Sequence, residues 1–409
     1  MASRAASRAK PPKARPKPKS GGTLEQLFAA KEIVVTCGSG GVGKTTTAAA
    51  TAAMAAAHLG GKVLVLTVDP AKRLASALGL EEFGNVETRV PDELFTAAGV
   101  EPQGELWAAM LDTKQSWDEL VRTHAPDAET RDAILANPLY QNITGKFVQS
   151  HDYIAMERLY EIHASGRYDL IVVDTPPTRN AIDFLEAPER MADFFSSRLL
   201  RWLIAPYRSR LYNAASKPFY VVADRILGSQ FLADIAEFFI LFQTMYDGFV
   251  ERAEAVRRTL QERRTTFMVV TTLEAAPARE ADFFIDALEA RGFHLGAVVL
   301  NKVLPAYFLD RGATGVARAL ANDPAAIAAQ LAAALGDQVP ADLADPATVE
   351  RVLREVGTSF LNYRVVATRE AETRADLSRQ PETVVAVPFF ESDIYDLAGL
   401  LRLGEQIWR

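Results

Sequence analysis

Short runs of β-branched and aliphatic residues recur along the chain, most of them separated by longer stretches with apolar positions at helical spacing. The runs predict strands at about 32–37, 63–69, 106–111, 169–174, 266–271, 296–301 and 383–387. Each is apolar on both faces, as strands sandwiched between helical layers are. Strands alternating with helices imply an α/β fold: a doubly wound, mostly parallel sheet of about seven strands. Ligands bind such sheets beyond the carboxyl ends of the strands, so candidate chemistry is sought there.

Two stretches break the alternation. Residues 180–262 lack a strand pattern, and Phe231, Leu232, Ile235, Phe238, Phe239, Phe242, Met245, Tyr246 and Phe249 recur at intervals of mostly three and four. This predicts a helical subdomain inserted in the main domain. Within it Phe194, Phe195, Leu199, Leu200, Trp202, Leu203 and Ile204 form a dense apolar cluster, read either as packed core or as a partner-binding groove. Residues 305–365 are Ala-rich and punctuated by Pro324, Pro340 and Pro346, which predicts short helices and loops. Past Asp396, Leu397, Leu400, Leu401, Leu403, Ile407 and Trp408 suggest an amphipathic helix docked on the sheet, although Gly399 and Gly404 weaken that pattern.

Charge sets the first residues apart. Residues 1–20 hold seven Lys or Arg, four prolines and no acid, so 1–22 is expected to be a disordered basic tail and 23–409 the folded domain. With those seven set aside, 38 basic residues remain against 52 acidic ones, an unfavourable balance for gripping a phosphate backbone. Nucleic-acid or membrane attraction is therefore confined to the tail. No apolar run has the length of a membrane span, and no signal-peptide pattern is present, so a cytoplasmic setting is expected. The single cysteine, Cys37, excludes a disulfide framework within the chain, and the five histidines show no metal-ligand spacing.

The run Glu32-Ile33-Val34-Val35-Thr36-Cys37 leads into Gly38-Ser39-Gly40-Gly41-Val42-Gly43-Lys44-Thr45, and Thr46-Thr47-Ala48 opens a helix. Strand, glycine loop and helix in this order form a phosphate-binding loop. Backbone N–H groups from Gly40 to Thr46 would point at phosphate oxygens, helped by the helix dipole. Lys44 would reach the terminal phosphates, and the Thr45 hydroxyl would ligate Mg²⁺. Tyr168–Asp174 is a second buried strand ending in a carboxylate; beside such a loop, Asp174 is the expected partner of Mg²⁺ through a water. Leu64–Asp69 is a third, and Asp69 has two readings, an acid that orients the attacking water or a cap for the segment opening at Pro70.

These segments, in this order, resemble the ArsA-type branch of the deviant Walker A ATPases. That branch includes the arsenite-pump ATPase and the ATPase that escorts tail-anchored membrane proteins. The similarity rests on Gly38–Thr47, Thr67-Val68-Asp69-Pro70-Ala71, Asp174-Thr175-Pro176-Pro177-Thr178, Val299-Leu300-Asn301-Lys302 and Val387-Pro388-Phe389. It implies ATP and Mg²⁺ as cofactors, Asp69 as the water-orienting acid, Asn301 as the adenine reader, and Pro388 and Phe389 on the adenine side. It also implies a nucleotide-gated dimer, either of this chain or with a paralogous ATPase, acting on a protein client.

Two departures qualify the resemblance. Ser39 stands where family members carry a signature lysine that crosses to the partner's phosphates, leaving three options: slow hydrolysis, a cation in cis such as Lys72 or Arg73, or a lysine from a paralogous subunit. Cys37 alone supplies neither an arsenite site nor a Cys-x-x-Cys zinc clasp, so no zinc or arsenite site is expected. Three functional readings follow: a client-controlling ATPase, a hydrolysis-poor nucleotide-binding subunit, and a positioning ATPase of the ParA/MinD kind.

Overall fold

A computed structural model describes residues 23–68, 73–80, 84–141, 148–176, 186–187, 190, 193, 229–335, 345–377 and 383–408. Its centre is one eight-stranded sheet: β1 (Ile33–Cys37), β2 (Gly61–Thr67), β3 (Thr88–Arg89), β4 (Gly104–Met110), β5 (Leu170–Asp174), β6 (Thr265–Thr271), β7 (Leu295–Val303) and β8 (Thr383–Pro388), in the spatial order β3-β4-β2-β5-β1-β6-β7-β8. All pairs are parallel except β3 with β4. The seven expected strands are all present. The eighth, β3, is a two-residue edge strand too short to leave a periodic pattern.

The period-two geometry of β1 divides the core. Ile33, Val35 and Cys37 face one helical layer, and Val34 faces the other. The first layer includes the helices Thr113–His124, Val148–Ala164, Tyr246–Gln261 and Ala275–Ala290. Phe238, Phe242 and Phe249 are buried in it beside Trp117 and Tyr153, so this part of the aromatic stripe is core. The Phe194–Ile204 cluster lies outside the described residues.

The second layer is centred on the Ala-rich helix Lys44–His58, whose small side chains let it lie close to the sheet and to the helix Leu397–Trp408. Gly404 is a requirement of that contact, because a Cβ there would come within 2.1 Å of Met54 Cγ. The glycine that weakens the helical pattern in the sequence is what allows the helix to dock.

Residues 305–365 match the expected short helices only in their first part. Helices Arg311–Asn322 and Ala325–Leu335 are followed by a single 32-residue helix, Pro346–Leu377. Pro346 begins this helix instead of breaking it, since a proline at the first helical position forfeits no intrahelical hydrogen bond. The Asp345 carboxylate accepts from the Thr348 N–H at 3.0 Å and caps the same end. The result is a helical arm between β7 and β8.

Candidate functional site

β1 lies at the middle of the sheet, and its carboxyl end runs into the glycine loop. Gly38, Gly41 and Gly43 all have positive φ, the backbone alternation that turns N–H groups into a shared concavity. At Gly43, φ is +95°, and an added Cβ would lie 2.4 Å from Asn301 Nδ2, so both conformation and space require glycine. Lys44 opens the following helix and is buried, its Nζ donating to the Ser39 carbonyl at 2.7 Å. The loop thus holds its ammonium group folded across its own mouth.

Asp174 is fully buried at the end of β5, in register with Thr36 of β1 and Thr67 of β2. Its Oδ2 accepts from Thr67 Oγ1 at 2.9 Å. The next residue, Thr175, donates to the Thr36 carbonyl at 2.8 Å and lines the cleft in front of the loop. Three neighbouring strand tips therefore fix the carboxylate beside the phosphate loop.

That cleft has a volume of about 1090 Å³. Gly41, Gly43, Lys44, Thr45 and Thr46 line one side. Asn301, Pro388 and Phe389 line the other, from the ends of β7 and β8. Gly40 is exposed at the loop tip, and Val42 is buried under it. Val42 contributes its carbonyl, which accepts from Asn301 Nδ2 at 2.8 Å; Asn301 Oδ1 accepts from the Lys302 N–H at 2.9 Å. Asn301 thus ties the loop to the end of β7, keeping one amide hydrogen and one lone pair for a ligand. Phe389 is 61% exposed, and its N–H donates to the Val303 carbonyl at 3.1 Å.

Sequence reasoning missed other cleft residues, notably Leu74, Phe390 and Tyr395. Tyr395 is 71% exposed at the rim. The only signal for it was an aromatic residue shortly after the Pro388-Phe389 segment. Asp69 and Lys72 lie outside the described residues, and Arg73 begins the helix Arg73–Ala77.

The site suits a nucleoside triphosphate with magnesium. Glycines leave room for phosphate oxygens, an ammonium and a hydroxyl open the same helix, and a strand-end carboxylate lies behind Thr175. Ser39 departs from this set in a specific way: its Oγ is buried with no hydrogen-bond partner among the described residues, so it offers no extended group to a neighbouring molecule. Cys37 is buried behind the loop. Desolvation there pushes its thiol up to about 12, against the opposing influence of Lys44, which disfavours the thiolate that metals and arsenite require.

Fold and loop together define a P-loop nucleotide-binding protein of the α/β class. The anion-transporting ATPase family profile matches residues 31–313, and the chain belongs to that family. It is 25% identical over 279 residues to a protein provisionally named an arsenical pump-driving ATPase in Chlorobaculum tepidum, covering 67% of this chain and 62% of that one. It is 29% identical over 269 residues to the uncharacterized protein SCO2128 of Streptomyces coelicolor, covering 66% and 61%. With ATPase GET3 of Malassezia globosa it shares 25% over 287 residues, covering 69% and 76%. The chain thus spans about three fifths of the length of the first two relatives. The family match ends within the first helix of the arm.

Proposed function

We propose that the chain is a Mg²⁺-dependent ATPase whose nucleotide state controls binding of a protein partner. The observation that carries this reading is the single cleft joining the glycine loop to Asn301, Pro388 and Phe389. Phosphates would occupy the loop, with Lys44 turning from the Ser39 carbonyl onto them. Bound magnesium would neutralise charge on the terminal phosphates, held by Thr45 directly and by Asp174 through water. Asp69 is assigned to orient the attacking water, on the strength of the family resemblance. Asn301 and Phe389 would hold the adenine by a hydrogen bond and a ring face. Dimerisation, with this chain or a paralogue, and a protein client belong to the same proposal.

A second reading is favoured by Ser39: a nucleotide-binding subunit with little turnover of its own. Its hydroxyl is buried, and no long cation stands at the position where the family places one. Calorimetry with MgATP and a phosphate-release assay on the purified chain separate the two. Binding with turnover that Asp69→Asn abolishes supports the ATPase. Binding without turnover, restored by a lysine-bearing paralogue, supports the subunit. No MgATP binding at all overturns both.

A further inference from the structure

The helix Pro346–Leu377 buries one face, including Val349, Gly357 and Ala367, within the arm. Beside that face runs a second stripe, Val352, Val356, Ser359, Tyr363 and Val366, at alternating intervals of four and three, and all five residues are exposed. Val352, Val356 and Tyr363 are each about half exposed, at 52%, 53% and 52%. Alternating spacing of this kind is the seam along which one helix packs on another. Beside the stripe, Tyr307 and Phe308 leave a groove of about 520 Å³ against Val352, Val356, Phe360 and Tyr363. Phe308 lies 5.2 Å from Phe360 and 5.3 Å from Tyr363, ring centre to ring centre, so the aromatic wall is braced from within.

Charges along the outer edge of the stripe identify what it fits. Glu355 and Arg369 are exposed and lie seven residues to either side of Asn362. Neither forms a side-chain ion pair among the described residues. An antiparallel copy in coiled-coil register sets Val356 against Val366 in a core layer centred on Leu361, and Glu355 of one chain beside Arg369 of the other along the edge, twice, symmetric about Asn362. A parallel copy would set like charges against each other. We propose that this stripe is the docking surface for a second copy of the chain, paired antiparallel through the Pro346–Leu377 helix. The inference is independent of nucleotide turnover. It would nonetheless couple to the cleft, because Lys302 and Pro388, on strands flanking the arm, both line it.

Sedimentation of the full-length chain at micromolar concentration without nucleotide tests this, with circular dichroism as the control for folding. A dimer is expected, and Val356→Asp or Tyr363→Asp should yield a folded monomer. Glu355→Arg and Arg369→Glu should each raise the dimer dissociation constant about tenfold, and the double exchange should restore it. A monomeric wild-type chain, stripe variants that stay dimeric, or a double exchange no tighter than either single one would each overturn the proposal. MgATP calorimetry on the stripe variants should be unchanged, which separates failure here from failure of the nucleotide reading.

Discussion

The Asn301 side chain donates to the Val42 carbonyl at 2.8 Å, so the end of β7 holds the glycine loop that follows β1, although β6 lies between them. Asn301→Ala removes this tie and a cleft-facing amide together. A hydrogen bond of this kind contributes about 0.5–1.5 kcal/mol, so MgATP affinity should fall about two- to tenfold with the fold retained. Gly43→Ala is expected to be harsher. Its φ of +95° and the 2.4 Å approach to Asn301 Nδ2 force the loop to move, and calorimetry should show no MgATP uptake. Unaltered affinity in either variant would remove the role assigned to that contact.

The seven longer strands and the phosphate loop were legible because each is fixed by local chemistry: two-sided apolar runs, and glycines where φ is positive. Asn301, Pro388 and Phe389 needed the family resemblance, since nothing in their spacing shows that β7 and β8 end at the same cleft as β1. The long helix of the arm departs from the expected pattern because a proline in sequence marks a break, whereas Pro346 occupies the one helical turn that tolerates it. The Gly404–Met54 approach is a tertiary relation with no sequence signature. Tyr395 was missed for the same reason.

That approach supports a stability prediction. Gly404→Ala places a Cβ 2.1 Å from Met54 Cγ and 3.3 Å from the Ala50 carbonyl, and the two helices must part to admit it. Overpacking of this order costs about 1–3 kcal/mol, which urea unfolding should read as a lower midpoint with unchanged slope. Gly399→Ala, where the nearest atom is Asp396 Oδ1 at 3.1 Å, should be milder. Equal effects would show that the close helix approach is not what selects glycine at 404.

Cys37 should be inert while the protein is folded. Burial raises its thiol to about 12, so at neutral pH almost none is thiolate, and the side chain has no exposed surface to speak of. A chromogenic disulfide reagent should register no reactive thiol in the native chain and one after denaturation. Rapid native labelling would mean that β1 opens locally, and with it the base of the phosphate loop.

A buried charge pair in the first helical layer gives a pH-dependent prediction. Glu157 is almost wholly buried, ion-paired with Arg252 and accepting from the Tyr153 hydroxyl at 2.8 Å. The fold also brings His124, Glu157 and Glu161 within 4.8 Å of one another, a grouping that their sequence spacing does not show. Arg252 lies against Glu157, and Arg158 pairs with Glu161 at 3.3 Å, so both carboxylates already have cations. Burial raises the Glu157 carboxyl above its ordinary value, with Arg252 opposing the rise. The folded state therefore holds this proton more tightly than the unfolded chain does. Its contribution to stability is full below the ordinary glutamate range and declines as pH rises through the raised value. Glu157→Gln should flatten that part of the Tm-against-pH curve. Arg252→Met leaves the carboxylate without its cation and should cost about 3–5 kcal/mol at neutral pH, with much of the loss recovered on acidification. Replacing both, as Glu157→Leu with Arg252→Met, should restore most of the stability at neutral pH. A double variant as unstable as Arg252→Met alone would show that Arg252 acts through its packing on Phe249, 5.1 Å from the ring centre, and not through the charge it neutralises.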